Sequence, residues 1–234
     1  MISSHANKSK SSSTSTPNAG QGTKMNQTDK KQQKLNKLIT QWSEMIFKDS
    51  ELPTLAQKLN SNEQEDLHHG VIGLRKLLSK EDLSQIQPVI DTGVVPRLVE
   101  LISPKSAKKI QLEAAWCLTN LCSGTTEQAL YLIQNGAISA FISSLTSDDA
   151  ELAEQSIFGL GNIAGESAEF RDLILKENGT EAMVKVLAKS SNINVKCVGA
   201  WALSNLCRGE PEPKFELVSS AIPILRIYQS GNEW

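Results

Sequence analysis

The sequence predicts an all-α solenoid, in which stacked helical repeats follow a disordered basic tail. Three observations support this fold class: one motif recurs every 43 residues, a second motif keeps nearly the same period, and apolar residues follow helical spacing. The sequence has no alternating apolar pattern long enough to indicate a strand. Each repeat of such a fold buries its apolar face only against its neighbours. We therefore expect one continuous core along the stack.

The chain begins with a polar segment, residues 1–30, made mainly of Ser, Thr, Asn, Gln, Gly and Lys. Such a composition cannot bury enough surface to offset the entropy lost on ordering, so we expect a disordered tail. Over residues 31–50 the pattern changes, because Leu35, Leu38 and Trp42 recur at helical spacings of three and four. This pattern predicts an amphipathic helix that either docks on the repeats or becomes ordered on a partner.

The repeats occupy residues 52–234 and number about four, with the last one incomplete. The first motif reads GVVPRLVELI, GAISAFISSL and GTEAMVKVLA, and its copies start at Gly93, Gly136 and Gly179. The second motif ends its apolar core at an asparagine in each copy, and these are Asn120, Asn162 and Asn205. A period of about 40–47 residues with two or three helices per unit is typical of armadillo and HEAT repeats.

Turn and cap residues divide each unit into helices. Gly136 follows a short first helix and is expected to close it at the C′ position. The clusters 147–149 (Ser-Asp-Asp) and 190–192 (Ser-Ser-Asn) precede the longer third helices of two successive units. Their side chains can accept hydrogen bonds from the first free N–H groups of those helices.

Charge is distributed unevenly along the chain. The first 40 residues contain seven lysines and one acid, Asp29, which leaves 17 of the 24 bases and 25 of the 26 acids in the remainder. An acidic folded part argues against nucleic acid as a partner. No apolar run approaches the roughly 18 residues that cross a bilayer, so we expect no membrane insertion.

Motifs for catalysis are absent from the sequence. It contains no G-x-S-x-G, P-loop or H-E-x-x-H pattern, and the glycines at 159 and 161 follow a helical rather than a strand pattern. The four cysteines include no C-x-x-C pair, so no metal site is predicted. We expect neither an enzyme nor a bound cofactor or metal, which leaves a binding surface as the functional element.

The third helices repeat an aromatic residue and an asparagine four positions apart: Trp116 with Asn120, Phe158 with Asn162, and Trp201 with Asn205. Residues four apart share a helix face. One interpretation is core aromatics with capping asparagines. Asparagine, however, is a poor helix former and is costly to bury unpaired. Its recurrence in three successive units therefore favours a shared binding task.

The spacing of the repeats suits an extended peptide. Stacked helices lie about 8–10 Å apart and an extended chain advances about 3.3 Å per residue, so one repeat corresponds to about three peptide residues. Amides can then bind the peptide backbone, and aromatic faces can form slots for lysine or arginine stems. We expect Glu113, Glu154 and Glu166, on or beside these helices, to steer cations inward.

At these residues the sequence resembles importin α, the family of adaptors that carry cargo with nuclear localisation signals to importin β. The resemblance runs from about residue 52 to residue 227 and includes LEAAWCLTNLCSGTTEQ, LGNIAGES followed by RDLIL, and WALSNLCRGEPEP. It implies an armadillo-repeat, right-handed superhelical solenoid that acts as a nuclear import adaptor in cytoplasm and nucleus. It also implies cargo contacts at Trp116, Asn120, Gly124, Glu154, Gln155, Phe158, Asn162, Glu166, Trp201 and Asn205.

The resemblance gives individual roles to some positions and departs from the family at others. It implies that the backbone carbonyl of Gly124 meets the key lysine of the signal, and that Glu166, usually Asp, pairs with its ammonium. Phe158 stands where the family normally has Trp, Ala129 where a threonine hydroxyl helps to hold the lysine, and Val198 where an asparagine contacts the peptide. We expect a groove that binds monopartite signals more weakly than that of a typical member.

The tail offers only lysines where the family has an arginine-rich helix that binds importin β, and these are Lys30, Lys31, Lys34 and Lys37. They either contact importin β or fold back into the acidic groove and compete with cargo. Two other interpretations stay open. One is an importin-like scaffold or regulator that binds basic peptides without importin-β-dependent transport, and the other is a truncated product with an exposed apolar end.

Overall fold

The structure is a computed structural model that describes residues 27–80 and 83–229. It confirms the all-α class, because these residues form α-helices and two 3-10 helices, Asp49–Glu51 and Ser219–Ala221, and no strand. Residues 1–26, which make up most of the predicted disordered tail, lie outside the described residues. The α-helices of the described residues are α1 (Gln27–Glu44), α2 (Leu52–Leu59), α3 (Gln64–Leu78), α4 (Ile86–Asp91), α5 (Val95–Leu101), α6 (Lys108–Leu121), α7 (Thr126–Gln134), α8 (Ala137–Ser144), α9 (Ala150–Glu166), α10 (Ala168–Lys176), α11 (Gly179–Lys189), α12 (Ile193–Leu206), α13 (Phe215–Val218) and α14 (Ile222–Gln229).

The third helix of each unit forms the central layer of the stack. Helices α3, α6, α9 and α12 pack against one another in this order. A shorter helix covers each of them, since α2 packs on α3, α5 on α6, α8 on α9 and α11 on α12. Apolar side chains from all these helices join one buried core. The core is therefore continuous along the stack, as the repeat pattern predicts.

The predicted turn and cap residues have the expected geometry. Gly136 closes α7 with a φ of +88°, a left-handed conformation that glycine adopts without steric cost. The side chain of Asp149 accepts hydrogen bonds from the backbone N–H groups of Glu151 and Leu152 at the start of α9. Asn192 caps α12 in the same way. These caps fix where the third helices begin, and therefore which residues share a face.

The first helix differs in its limits from the expected amphipathic segment over residues 31–50. Helix α1 begins at Gln27, within the predicted tail, and ends at Glu44. Asp29 lies in its first turn, where a negative charge favours helix formation. The chain leaves the helix after Glu44, and Phe47 then enters the core. Helix α1 lies along α3, with the rings of Trp42 and His69 at a centroid distance of 4.9 Å, and so covers the first unit of the stack.

Candidate peptide-binding site

Three exposed aromatic side chains lie at equivalent positions on α6, α9 and α12. Trp116 is 37%, Phe158 41% and Trp201 38% exposed, although most apolar residues around them are buried in the core. The asparagine four positions later in each helix lies on the same face. We call these six residues the ladder: Trp116, Asn120, Phe158, Asn162, Trp201 and Asn205.

Each asparagine of the ladder is tied to the preceding unit by a hydrogen bond. The side-chain amide of Asn120 donates to the Ser79 hydroxyl at 3.3 Å, and that of Asn162 donates to the Thr119 carbonyl at 3.3 Å. Asn205 is buried and donates to the Gly161 carbonyl at 2.9 Å. One amide N–H is thereby used between units. A second N–H and the amide oxygen of each side chain take no part in these three hydrogen bonds.

Two rings of the ladder are in direct contact, which the sequence did not predict. The centroids of Phe158 and Trp201 are 5.2 Å apart with the ring planes tilted by 55°. An alkyl stem between two rings needs a carbon contact of about 3.5–4 Å on each side, so the rings would have to stand about 7–8 Å apart. The expected slot between Phe158 and Trp201 is therefore closed in this structure. A ligand stem must lie across their outer surfaces or separate the rings.

Trp201 owes its position to a glycine on the neighbouring helix. A Cβ atom at Gly161 would lie 2.2 Å from Cζ3 of Trp201, so the ring packs directly on the backbone of α9. Gly161 therefore serves helix packing, as its helical pattern indicates, and not a dinucleotide loop.

A pocket of about 230 Å³ opens beside Trp201. It is lined by Cys122, Ser123, Gly124, Gly161, Asn162, Gly165, Glu166, Trp201, Asn205 and Arg208. We call it the Trp201 pocket. It brings together five of the residues implied by the family resemblance, from three successive units. The Cys122 thiol is buried, and burial raises its pKa to about 12, so its sulfur stays protonated.

The Trp201 pocket contains one carboxylate and one guanidinium. Glu166 accepts a hydrogen bond from the hydroxyl of Thr126, which lies at the start of α7. Ala129, which stands where the family has a threonine, is buried and supplies no hydroxyl. Thr126, one turn earlier, supplies a hydroxyl next to Glu166 instead. Arg208 also lines the pocket, and the sequence analysis did not single it out although it lies within the quoted motif WALSNLCRGEPEP.

Two further implied contacts lie earlier on α9. Glu154 is partly buried, and this burial, with the nearby carboxylate of Glu151, raises the pKa of its carboxyl. The side-chain oxygen of Gln155 is buried and accepts no hydrogen bond within the described part of the chain. A buried acceptor without a donor costs about 1–3 kcal/mol. Because this oxygen has almost no exposed surface, a ligand N–H group could reach it only if neighbouring side chains moved.

At Trp116, the expected role of Glu113 is wrong. Its carboxylate is 2% exposed and lies 2.8 Å from Nε of Arg75 and 3.4 Å from Nζ of Lys109, so it cannot steer a ligand. The guanidinium of Arg75 in turn lies over the Trp116 ring, 4.8 Å from its centroid. The other two expected acids, Glu154 and Glu166, remain on the surface that carries the ladder.

The four lysines of the tail lie on α1, away from the ladder. Lys34 pairs with Glu65 at 3.0 Å near the start of α3. Because α1 packs along α3, its lysine-bearing half lies beside the first turns of that helix. The structure places Lys30, Lys31, Lys34 and Lys37 on α1. Self-inhibition by the basic tail stays a prediction, because residues 1–26 lie outside the described residues.

The described residues contain no group of three or more His, Cys, Asp or Glu side chains placed to hold a metal ion. Nor, over 27–80 and 83–229, is any helix long and apolar enough to cross a membrane.

Comparison with known protein families identifies the repeats. The model of the armadillo/beta-catenin-like repeat matches residues 82–123 and 167–208. These two segments contain Asn120 and Asn205 of the ladder.

Comparison with curated proteins finds importin α subunits. The chain is 41% identical over 160 residues to importin subunit alpha-2 of Arabidopsis thaliana, which covers 68% of this chain and 30% of that protein. It is 36% identical over 183 residues to importin subunit alpha-1b of Oryza sativa subsp. japonica, covering 78% of this chain and 34% of the relative. The chain thus spans about a third of the length of these relatives.

Solved structures share the fold. A designed armadillo repeat protein in complex with the peptide (KR)4 is 24% identical, with a TM-score of 0.72 and 88% of each chain covered. A second computationally designed armadillo repeat protein, made for modular peptide recognition, is 23% identical with a TM-score of 0.73 and the same coverage.

Proposed function

Because the chain is an importin α-like armadillo-repeat protein, we propose that it binds lysine-rich segments of other proteins along its ladder. The bound segment is extended, and its backbone N–H and C=O groups pair with the free groups of Asn120, Asn162 and Asn205. The observation that carries this proposal is the Trp201 pocket, where a carboxylate, two ladder amides and an aromatic wall converge.

The Trp201 pocket suits a lysine side chain. The aromatic face of Trp201 packs on the alkyl stem, and the ammonium pairs with Glu166 and the backbone carbonyl of Gly124. Arg208 in the pocket wall and Phe158 in place of the family's Trp both weaken the attraction for a cation. We therefore propose affinities in the micromolar range.

At the level of the cell, we propose that the protein is a nuclear import adaptor. Its cargo carries nuclear localisation signals rich in lysine or arginine. The protein itself moves between cytoplasm and nucleus with importin β as a partner. The similarity to importin α subunits supports this assignment, which extends beyond the ladder itself.

The direct test is a titration of the protein against a fluorescent lysine-rich peptide, followed by anisotropy. We expect saturable binding with a dissociation constant below about 100 μM. The affinity should fall as the salt concentration is raised, because the contact is between charges of opposite sign. A peptide of the same length with Glu in place of Lys is the matched control and should not bind. Equal binding of both peptides, or binding of neither, would contradict the proposal.

A second candidate is a scaffold or regulator that holds basic peptides without delivering them. The composition of the tail favours it, because this chain offers lysines where importin α has an arginine-rich helix that binds importin β. The two candidates differ in importin β binding: retention of the full chain on immobilised importin β supports transport, and its absence together with peptide binding supports the scaffold.

Replacing Gly161 with Ala tests the placement of Trp201. The new Cβ would displace the ring from α9, so peptide affinity should fall at least tenfold. Stability should change by less than about 1 kcal/mol, because Trp201 is partly exposed and can swing out, and Ala is the better helix former. Anisotropy and urea unfolding measure the two effects.

Gly159→Ala is the matched control on the same helix. Its Cβ would meet Phe141 in the core at 2.5 Å, so this variant should lose stability while the folded protein keeps its peptide affinity. The reverse pattern in the two variants would rule out a role of Trp201 in binding.

A further inference from the structure

The backbone of Arg208 is held in place at the wall of the Trp201 pocket. Its carbonyl accepts a hydrogen bond from Nη1 of Arg171 at 2.7 Å, and Arg171 is 1% exposed. Gly209 follows with a φ of +104°, a left-handed conformation that glycine adopts at little cost. The side chain of Arg208 therefore lines the pocket from a fixed point of the chain.

The guanidinium of Arg208 is exposed and forms no ion pair with a carboxylate over residues 27–80 and 83–229. Its Nη2 atom lies at the end of α9, 3.9 Å from the point where a Cβ atom of Gly165 would stand. Glu166 follows Gly165 and lines the same pocket, but its carboxylate accepts a hydrogen bond from Thr126 and does not pair with Arg208. The pocket thus presents a carboxylate and a separate guanidinium to a ligand.

An extended ligand brings its side chains to this pocket at a fixed interval. Successive side chains of an extended chain point to opposite sides, so every second one faces the same side, about 6–7 Å further along. When a ligand lysine pairs with Glu166 on α9, the side chain two positions away toward α12 lies on the side of Arg208. A cation at this position is repelled by the guanidinium, whereas a carboxylate or a phosphate can accept two parallel hydrogen bonds from it.

We infer that Arg208 is a specificity-determining residue, which selects an anionic side chain two positions from the lysine that enters the Trp201 pocket. The inference rests on the proposed binding of lysine-rich segments, and it adds a second requirement to their sequence. Aspartate, glutamate and phosphoserine all carry the required group, and phosphoserine carries the highest charge. Phosphorylation at this position would then strengthen binding of the segment.

A positional scan of the peptide tests the inference on the unmodified protein. Each residue of a lysine-rich peptide is replaced in turn by Ala, and the largest loss of affinity in anisotropy marks the lysine of the pocket. Glu is then compared with Ala two positions away on either side. On one side Glu should bind about three- to fivefold more tightly than Ala, and phosphoserine about tenfold more tightly than Ser. No gain from an anion on either side would overturn the inference.

Arg208→Gln is the matching protein variant. The gain from the anion should disappear, and the peptide without an anion should bind about threefold more tightly, because the repulsion of its lysines is removed. Glu166→Gln should weaken every lysine-rich peptide but keep the preference for the anion. Lys214→Gln is the matched control, since this exposed lysine lies six residues after Arg208 and does not line the pocket, and it should alter neither property. Circular dichroism checks that each variant is folded.

The outcomes separate the two proposals. If Arg208→Gln weakens all peptides by the same factor, or if it keeps the gain from the anion, the role given to Arg208 is wrong and the proposed function stands. If none of the peptides binds the unmodified protein, the proposed function fails and the inference fails with it.

Discussion

Replacing Asn162 and Asn205 together with Ala is expected to lower the affinity for a lysine-rich peptide at least about 30-fold. Each amide offers the peptide backbone an acceptor and a donor beyond the hydrogen bond that it makes to the preceding unit. A hydrogen bond contributes about 0.5–1.5 kcal/mol, so the loss of four amounts to about 2–6 kcal/mol. This is the largest effect on binding that we expect, since both amides also line the Trp201 pocket.

The fold should survive this change. Each substitution removes one hydrogen bond between units, which costs about 1 kcal/mol at Asn162 and more at the buried Asn205. Circular dichroism should therefore show an unchanged helical signal at 25 °C. The matched control is Asn135→Ala, which removes an amide that donates to the Tyr131 carbonyl at 2.8 Å at the end of α7. It should leave peptide affinity within twofold, and a double variant that binds equally well would contradict the role of the ladder amides.

Replacing Arg171 with Met is expected to lower the free energy of unfolding by about 2–4 kcal/mol. Arg171 lies on α10 and is 1% exposed. Its guanidinium donates to the carbonyls of Arg208 at 2.7 Å and Pro211 at 2.8 Å, and to the carboxylate of Asp172 at 2.9 and 3.0 Å. It thus fixes the segment that follows α12. Methionine fills part of the space but leaves the two carbonyls without their donor.

Urea unfolding measures this effect, and two variants set its scale. Arg171→Lys keeps the charge but lacks the planar guanidinium. Its stability should therefore lie between that of the unmodified protein and that of Arg171→Met. Lys176→Met lies on the exposed surface at the end of the same helix and should change stability by less than about 0.5 kcal/mol. A loss below about 1 kcal/mol in Arg171→Met would show that the buried guanidinium is not what holds this segment.

Features that repeat along the chain could be predicted from the sequence. The 43-residue period gave the stack, because each unit can bury its apolar face only against the next. Gly136 and Asp149 marked a helix end and a helix start through local chemistry alone. The exposed face of the ladder followed from the spacing of four between Trp116 and Asn120. The helix ends and the shared face depend on residues close together in the sequence, and the stack depends on the repetition of the same unit.

Features that depend on contacts between units escaped prediction. Arg75 and Glu113 are 38 residues apart, and no local pattern indicates that they pair or that the guanidinium covers Trp116. The contact between Phe158 and Trp201 depends on how closely α12 approaches α9 at Gly161.

The limits of α1 also escaped, since the apolar pattern starts only at Leu35, eight residues after the first residue of the helix. Its first two turns are formed by polar residues with good helix propensity, which a search for apolar spacing does not register.

The most direct test of peptide binding along the ladder follows the NMR signal of each indole N–H during titration with a lysine-rich peptide. The signals are assigned with single Trp→Phe variants. We expect those of Trp116 and Trp201 to shift saturably, because both rings are on the ladder. The signal of Trp42, buried on α1 against His69, serves as the internal reference and should stay in place. Unchanged signals from Trp116 and Trp201 at peptide concentrations that saturate binding would show that the peptide does not bind on the ladder.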